Sequence, residues 1–510
     1  MRHKTWFHPF LFALYPVFSF WASNKASVSL KDTWRTLVVC LAIAGIVYLL
    51  ASCISTGKGK PALFSSLFVV TFFYFGQTYY SIEGKIPYLG QPVFFFIFWL
   101  VFFQLNFYLI FRFCRQCELL NRYLNWASLI LIVFPLWQLT WSPIQHPSLQ
   151  YPIVSAVVNQ NENIDLTGNQ PDIYYLILDA YGRNDILSEF FSLNNSIFLA
   201  ELQQRGFYVA DQSNTNYTQT LLSLTSSMTG SYLDVARVDP KSEDRRLIQQ
   251  YLDKNSYIQQ FNQMGYETLA MTDSSPINFN FADQAISTNS SLNSFELGFQ
   301  SLTMSRIWSR SVYEYTHWET LRSELDILQQ LPFNKEQPQF VFAHLLIPHP
   351  PFVFDASGNF VSPNSFMIGD GSHYKGTREE YIRGYSWKVQ YLNTRLIKIV
   401  DHLLSNPNRP VVIILQGDHG PGLYWDFESL ENSCLQERLP ILNAYYFPYE
   451  NAREKLYPSI TPVNSFRLIF DQILNQPMPL LDDRSFSSTW SHPYDFQDVT
   501  TQKETCSLLP

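Results

Sequence analysis

Within the first 142 residues, five stretches at roughly 5–22, 36–53, 62–79, 93–111 and 126–141 are dominated by Phe, Leu, Ile, Val, Tyr and Trp and carry few charges. A backbone can cross a bilayer only when its amides bond within their own segment, so these stretches predict a bundle of about five transmembrane helices. The first and last fall short of the ~20 residues that a span usually needs. A cleaved leader does not account for the first, because further apolar stretches follow it rather than a soluble domain. Lys and Arg in the short connections set the orientation. With the N-terminus inside, Arg2, Lys4, Lys58, Lys60, Arg112, Arg115 and Arg122 fall inside, against Lys25, Lys31, Arg35 and Lys85 outside. Seven against four favours that arrangement, and five crossings put everything after Trp141 outside. The expectation is a multi-pass protein of the plasma (inner) membrane, embedded in the lipid bilayer, with its larger part on the extracytoplasmic face.

Residues 1–142 are thus read as the membrane domain, 143–170 as a linker and 171–510 as a soluble domain. Pro143, Pro147, Pro152 and the polar run 159–163 mark the linker. The net charge of −8 and the lack of any Lys/Arg-rich tract exclude nucleic acid as a partner. Cys114 and Cys117 form a lone CxxC in an inner connection, a weak metal or redox signal. Cys434 and Cys506, the outer pair, either bond to each other in an oxidising compartment or remain thiols.

In the soluble domain three short, almost wholly apolar runs recur at 173–178, 340–346 and 411–415. Runs without polar alternation suit strands buried on both faces, hence a largely parallel sheet. Helical patterns lie between them at 185–204, 243–264 and 379–404. The fold class is therefore α/β with a largely parallel central sheet, behind an α-helical transmembrane bundle.

Ligands of open α/β sheets bind beyond the carboxyl ends of the strands, so the residues after each run carry the interest. Asp179 follows the first run, His344 and His349 close the second, and Asp418 and His419 follow the third. Each alone is also an ordinary cap or turn residue. Together, two carboxylates and an imidazole offer mixed O/N donors that suit a divalent cation, Mn²⁺ or Zn²⁺ before Mg²⁺ or Ca²⁺. The Ser/Thr-rich segment 214–226 enters a helix, where a hydroxyl meets positive backbone potential; plain capping by Thr220 is equally compatible with its position.

The run ending in Asp179, the helix start ending Thr229-Gly230, the stretch from His344 to Pro351 and Gly417-Asp418-His419-Gly420 resemble the sulfatase-type domain of the alkaline phosphatase superfamily. With membrane spans in front, the chain is similar to lipoteichoic acid synthases and membrane phosphoethanolamine transferases. The resemblance implies that Asp179, Thr220, Asp418 and His419 hold one metal ion, that Thr220 is the nucleophile, and that His349, with His344 more loosely, contacts the substrate. The Cys/Ser-x-Pro-x-Arg signature of sulfatases proper is replaced by Thr220-Leu221-Leu222-Ser223-Leu224.

The resulting expectation is a phosphotransferase or phosphodiesterase acting on a lipid head group or cell-envelope glycan through a phospho-threonine, with His349 protonating the leaving oxygen. Arg183, Arg378, Arg383 and Arg438 are available to clamp oxygens, and none is assigned. The rival readings are a sulfatase-like hydrolase of sulfate or phosphate esters and a catalytically silent membrane-anchored binding protein.

Overall fold

The computed structural model describes residues 6–25, 28, 30–54, 59–82, 86, 92–114, 117–141, 170–234, 238–275, 277, 279–288, 292–363, 369–474, 478–502 and 506. The expected linker lies outside these residues, Gln170 excepted. The chain divides into two compact units, one of residues 1–149 with 291–313, the other of 150–290 with 314–510.

The first unit holds helices α1 (His8–Ser23), α2 (Leu30–Ile54), α3 (Lys60–Phe73), α4 (Phe75–Ile82), α5 (Pro92–Phe113) and α6 (Cys117–Trp141). Leu30–Ile54, Val93–Ile110 and Cys117–Thr140 are long and apolar enough to cross a membrane. The expected stretch 62–79 is shared between α3 and α4, which meet at Tyr74. Ala13, Ala44 and Val69 are wholly buried where the helices approach, while Val38, Ile46 and Leu49 stay exposed, the pattern of a bundle solvated by lipid.

Residues from the 291–313 segment are built into the same unit. The helix Ser294–Ser301 starts on a capping box between Asn293 and Glu296, and Glu296 pairs with Arg35 at 2.6 Å. Phe295 and Phe299 pack with Phe12, Val17 and Phe73. Leu302 accepts hydrogen bonds from the amides of Gly76 and Gln77. A Cβ at Gly76 would lie 2.3 Å from the Ser301 carbonyl, so only glycine admits this approach.

The second unit is built on a seven-stranded sheet of β1 (Asp172–Leu178), β2 (Tyr208–Val209), β3 (Glu267–Met271), β4 (Gln284–Ala285), β5 (Gln339–Leu345), β6 (Val411–Gly417) and β7 (Asn443–Tyr446). The order is β2-β7-β6-β1-β5-β3-β4, parallel from β6 to β4 and antiparallel at β7 and β2. The three apolar runs are the central strands β6, β1 and β5, buried at every position. Side chains alternate between faces, so Tyr174, Leu176 and Leu178 join one core and Ile173, Tyr175 and Ile177 the other. The 27-residue helix Arg378–Leu404 closes the first face, burying Tyr381, Tyr385, Val389, Leu392, Leu396, Ile399, Val400 and Leu403.

Two expected helices are each broken in two. The pattern at 185–204 splits at Ser192, whose φ of 51° ends one helix before Asn195 starts the next. That at 243–264 splits at Asn255, whose side chain caps the helix Ser256–Gln263.

Candidate active site

Register brings the site together. Leu178 of β1 stands level with Leu345 of β5 and Gly417 of β6, so the chain leaves all three strands at one edge. Asp179 and Asp418 therefore emerge side by side. Ala180, forced to a φ of 65° by the turn, donates its amide to Asp418 Oδ1 at 3.0 Å. The His349 amide donates to the Asp179 carbonyl at 3.1 Å. Thr220 is the first residue of the helix Thr220–Thr229, which Gly230 terminates in a left-handed conformation.

That helix and the loop before it are held in place by hydroxyls other than that of Thr220. Thr215 and Ser223 both donate to the Asp418 carbonyl, at 2.5 and 2.7 Å. Thr218 meets the Ser487 hydroxyl at 3.3 Å. Thr220 alone of the four turns its hydroxyl to an imidazole, 3.0 Å from His419 Nε2. His419 Nδ1 lies 2.9 Å from the Gly420 carbonyl, which only accepts, so Nδ1 carries the proton and Nε2 keeps its lone pair.

His419 Nε2 is 3.3 Å from Asp418 Oδ2 and 3.7 Å from Asp179 Oδ1, and both oxygens are buried without a hydrogen-bond partner. Two orphaned carboxylate oxygens beside a lone-pair nitrogen and a hydroxyl fit a divalent cation. Asp179, His344 and Asp418 also offer donor atoms within 4.8 Å of one another. His344, expected against the substrate, sits 3.3 Å from Asp179 Oδ2 and 2.7 Å from the Ser275 hydroxyl. Burial alone would raise the Asp179 carboxyl, but the imidazoles of His349, His344 and His419 hold it below the usual carboxylate range. His344 moves the opposite way: burial would lower it, and the Asp179 carboxylate raises it above the ordinary histidine value. Burial lowers His419, with the Arg438 charge adding to the effect.

Three groups close to this edge carry no motif. Arg438 is wholly buried; it donates twice to the Thr218 carbonyl, at 3.0 and 3.1 Å, once to the Gly420 carbonyl at 3.1 Å, and to Asp370 at 2.9 Å. It thus joins the loop before Thr220 to the turn after His419. Asp370 also accepts from Tyr381 at 2.6 Å; burial would raise it, and His349 and Arg438 keep it low. Lys388 donates to the carbonyls of Leu346, His349 and Pro351; burial draws it down to about 7 against the pull of Asp179. Of the other arginines, Arg183 pairs with Asp185, Arg378 lies over Tyr424 and Arg383 over Trp387. Cys434 is bonded to Cys506.

A family model described as Sulfatase matches residues 171–459. No curated protein matches the chain. Among solved structures, the C-terminal periplasmic domain of EptC from Escherichia coli, in complex with zinc, is 11% identical with a TM-score of 0.44, covering 66% of this chain and 94% of that one. The integral membrane lipooligosaccharide phosphoethanolamine transferase A from Neisseria meningitidis is 11% identical with a TM-score of 0.37, covering 92% and 95%. A protein in the alkaline phosphatase superfamily from Vibrio parahaemolyticus is 12% identical with a TM-score of 0.35, covering 63% and 73%.

Proposed function

We propose, on the premise that this chain belongs to the sulfatase family, that it is a membrane-anchored phosphotransferase that moves a phosphoryl substituent from a lipid head group to an acceptor through Thr220. The observation that carries the reading is the Thr220 hydroxyl itself: it begins a helix, is only partly buried, and lies 3.0 Å from His419 Nε2 beside two orphaned carboxylate oxygens. Asp179, Thr220, Asp418 and His419 would hold the cation. When bound, a divalent cation supplies the charge that lets the Thr220 hydroxyl lose its proton to water at neutral pH.

The chain's own residues do the rest. Thr220 Oγ1 forms a bond to phosphorus as the bond from phosphorus to the lipid oxygen breaks, leaving a phosphodiester on threonine. His349 Nδ1 is 2.6 Å from the Pro350 carbonyl and therefore carries a proton, which leaves Nε2 to deliver a second proton to the departing oxygen. In the second half the acceptor hydroxyl gives its proton to His349 Nε2 and attacks phosphorus as the bond from phosphorus to Thr220 Oγ1 breaks, and Oγ1 takes a proton back from water. Arg438 and Asp370 hold the loops on which Thr220 and His419 ride. The catalytic unit faces outward, where lipid-linked and glycan substrates of the envelope lie.

Incubation of the full-length protein with lipid extract should leave Thr220 with a phosphodiester adduct in its peptide mass spectrum, discharged by an acceptor glycan faster than by water. Thr220→Ala should cut turnover by about 10³-fold or more, and Thr220→Ser should keep part of it. Discharge at the same rate by water alone would mark the enzyme as a hydrolase, and full activity in Thr220→Ala would end covalent catalysis through this helix.

A further inference from the structure

The turn after β5 reads Leu346-Ile347-Pro348-His349-Pro350-Pro351, and its three prolines have no N–H to offer. It therefore holds more carbonyls than donors, in a place where every residue is buried. Each remaining amide has a fixed partner: Leu346 donates to Ser274 Oγ, Ile347 to the Leu345 carbonyl and His349 to the Asp179 carbonyl.

The missing donors come from the helix Arg378–Leu404. Lys388 stands on its apolar face, between Tyr385 and Val389, and is wholly buried. A lysine there costs desolvation that an alkyl side chain would not. Its Nζ lies 3.3 Å from the Leu346 carbonyl, 2.6 Å from that of His349 and 3.1 Å from that of Pro351. A neutral amine has two N–H groups, and three acceptors call for the three of an ammonium.

We propose that Lys388 is a positioning residue for His349: its ammonium clamps the proline turn so that the His349 ring, already anchored through Nδ1, presents Nε2 to the leaving oxygen. This rests on the phosphotransfer reading above. Lys388 spends its Nζ on the three turn carbonyls; it supplies the donors that a proline turn lacks at the place where an ångström of drift disables proton transfer. In the step concerned, the proton on His349 Nε2 passes to the oxygen released from phosphorus as the Thr220 bond forms.

The test uses full-length protein in detergent and a series of aryl phosphodiesters running from p-nitrophenyl, whose phenolate leaves without a proton, to unsubstituted phenyl, whose oxygen needs one. Lys388→Met should lose no more than about 3-fold in kcat on the p-nitrophenyl ester and at least 10-fold more than that on the phenyl ester, with KM little changed. His349→Gln should show the same dependence on leaving group, and the double variant should be no slower than His349→Gln. Should Lys388→Met fail to fold, Lys388→Gln, which keeps two donors, is read in the same way. A uniform loss across the series, or losses that multiply in the double variant, overturns the assignment of Lys388 alone. Turnover of the series undiminished in Thr220→Ala would overturn the phosphotransfer reading, and this assignment with it.

Discussion

Two carboxyl groups near the sheet edge respond to their surroundings in ways that can be measured separately. Asp418 uses Oδ1 on the Ala180 amide and leaves Oδ2 without a partner. Asp418→Asn preserves the first contact and removes the anionic second oxygen, so the fold should survive while metal content and turnover fall by about 10²-fold or more. Chelation of the parent protein should do the same, and Mn²⁺ or Zn²⁺ should restore it. Elemental analysis of the purified protein beside an activity assay checks both; full metal content in Asp418→Asn contradicts the donor set. Glu324 differs in kind. It accepts from the Ser274 amide at 2.9 Å, its other oxygen has no partner, and burial raises it to about 8 although Ser274 pulls it down. The native state therefore keeps a proton that the unfolded chain releases above its ordinary value of 4.5. Stability from this group is present below about 4.5 and is lost as pH rises toward 8, on the order of a few kcal/mol. Glu324→Gln should flatten that slope, read as melting temperature between pH 5 and 8; an unchanged slope would place the titration elsewhere.

The helix Thr220–Thr229 shows how an element fixes a residue. Gly230 ends it at φ 57°, and a Cβ there would stand 2.7 Å from the Tyr257 ring. Gly230→Ala should cost about 1–3 kcal/mol from the left-handed backbone and the clash, and should lower kcat by disturbing the register of Thr220. Thermal unfolding and kinetics report the two effects; an unaltered melting temperature would refute the role given to the glycine. The same glycine made the element legible, since Thr229-Gly230 belongs to the pattern whose resemblance to the sulfatase-type domain pointed to Thr220. Strands β1, β5 and β6 were legible because burial on both faces removes polar alternation. Asp179 and Asp418 drew attention because each directly follows such a strand, and His419 because it follows Asp418; the structure brings the three to one edge. Nothing comparable announced Lys388, Asp370 or the carbonyl contacts of Arg438. Each serves a loop distant in sequence: Lys388 reaches back 37 to 42 positions, and Arg438 reaches 220 to the Thr218 carbonyl. The breaks at Ser192 and Asn255 escaped because each falls in a short, mainly polar stretch, 192–196 and 253–256, that the solvent face of one longer helix would also accept.

At the scale of the whole chain, the unexpected fact is where residues 291–313 belong. They follow β4 in sequence, yet they complete the helical unit, where Phe295 and Phe299 are only 4% exposed. Their partners are Phe20 at the end of α1 and Phe73 at the end of α3, with Arg35 near the start of α2 pairing with Glu296. All three helix ends are those that the charge count puts on the outer side, so a reporter at the C-terminus should be active outside the cytoplasm. The second unit has a core of its own on each face of its sheet, and a fragment of 150–510 should form that sheet. Without α1–α3, however, the fragment carries Phe295 and Phe299 with nothing to cover them. Each aromatic side chain left in water forfeits about 1.5–3 kcal/mol of burial, enough to drive association. The expected outcome is a fragment that needs detergent to run as a single species in gel filtration, and a Phe295→Ser, Phe299→Ser fragment that does not. Both should show the same metal binding, because the proposed donors Asp179, Thr220, Asp418 and His419 all lie in the second unit. An unsubstituted fragment that is monodisperse in plain buffer would mean that these phenylalanines find cover without the helices.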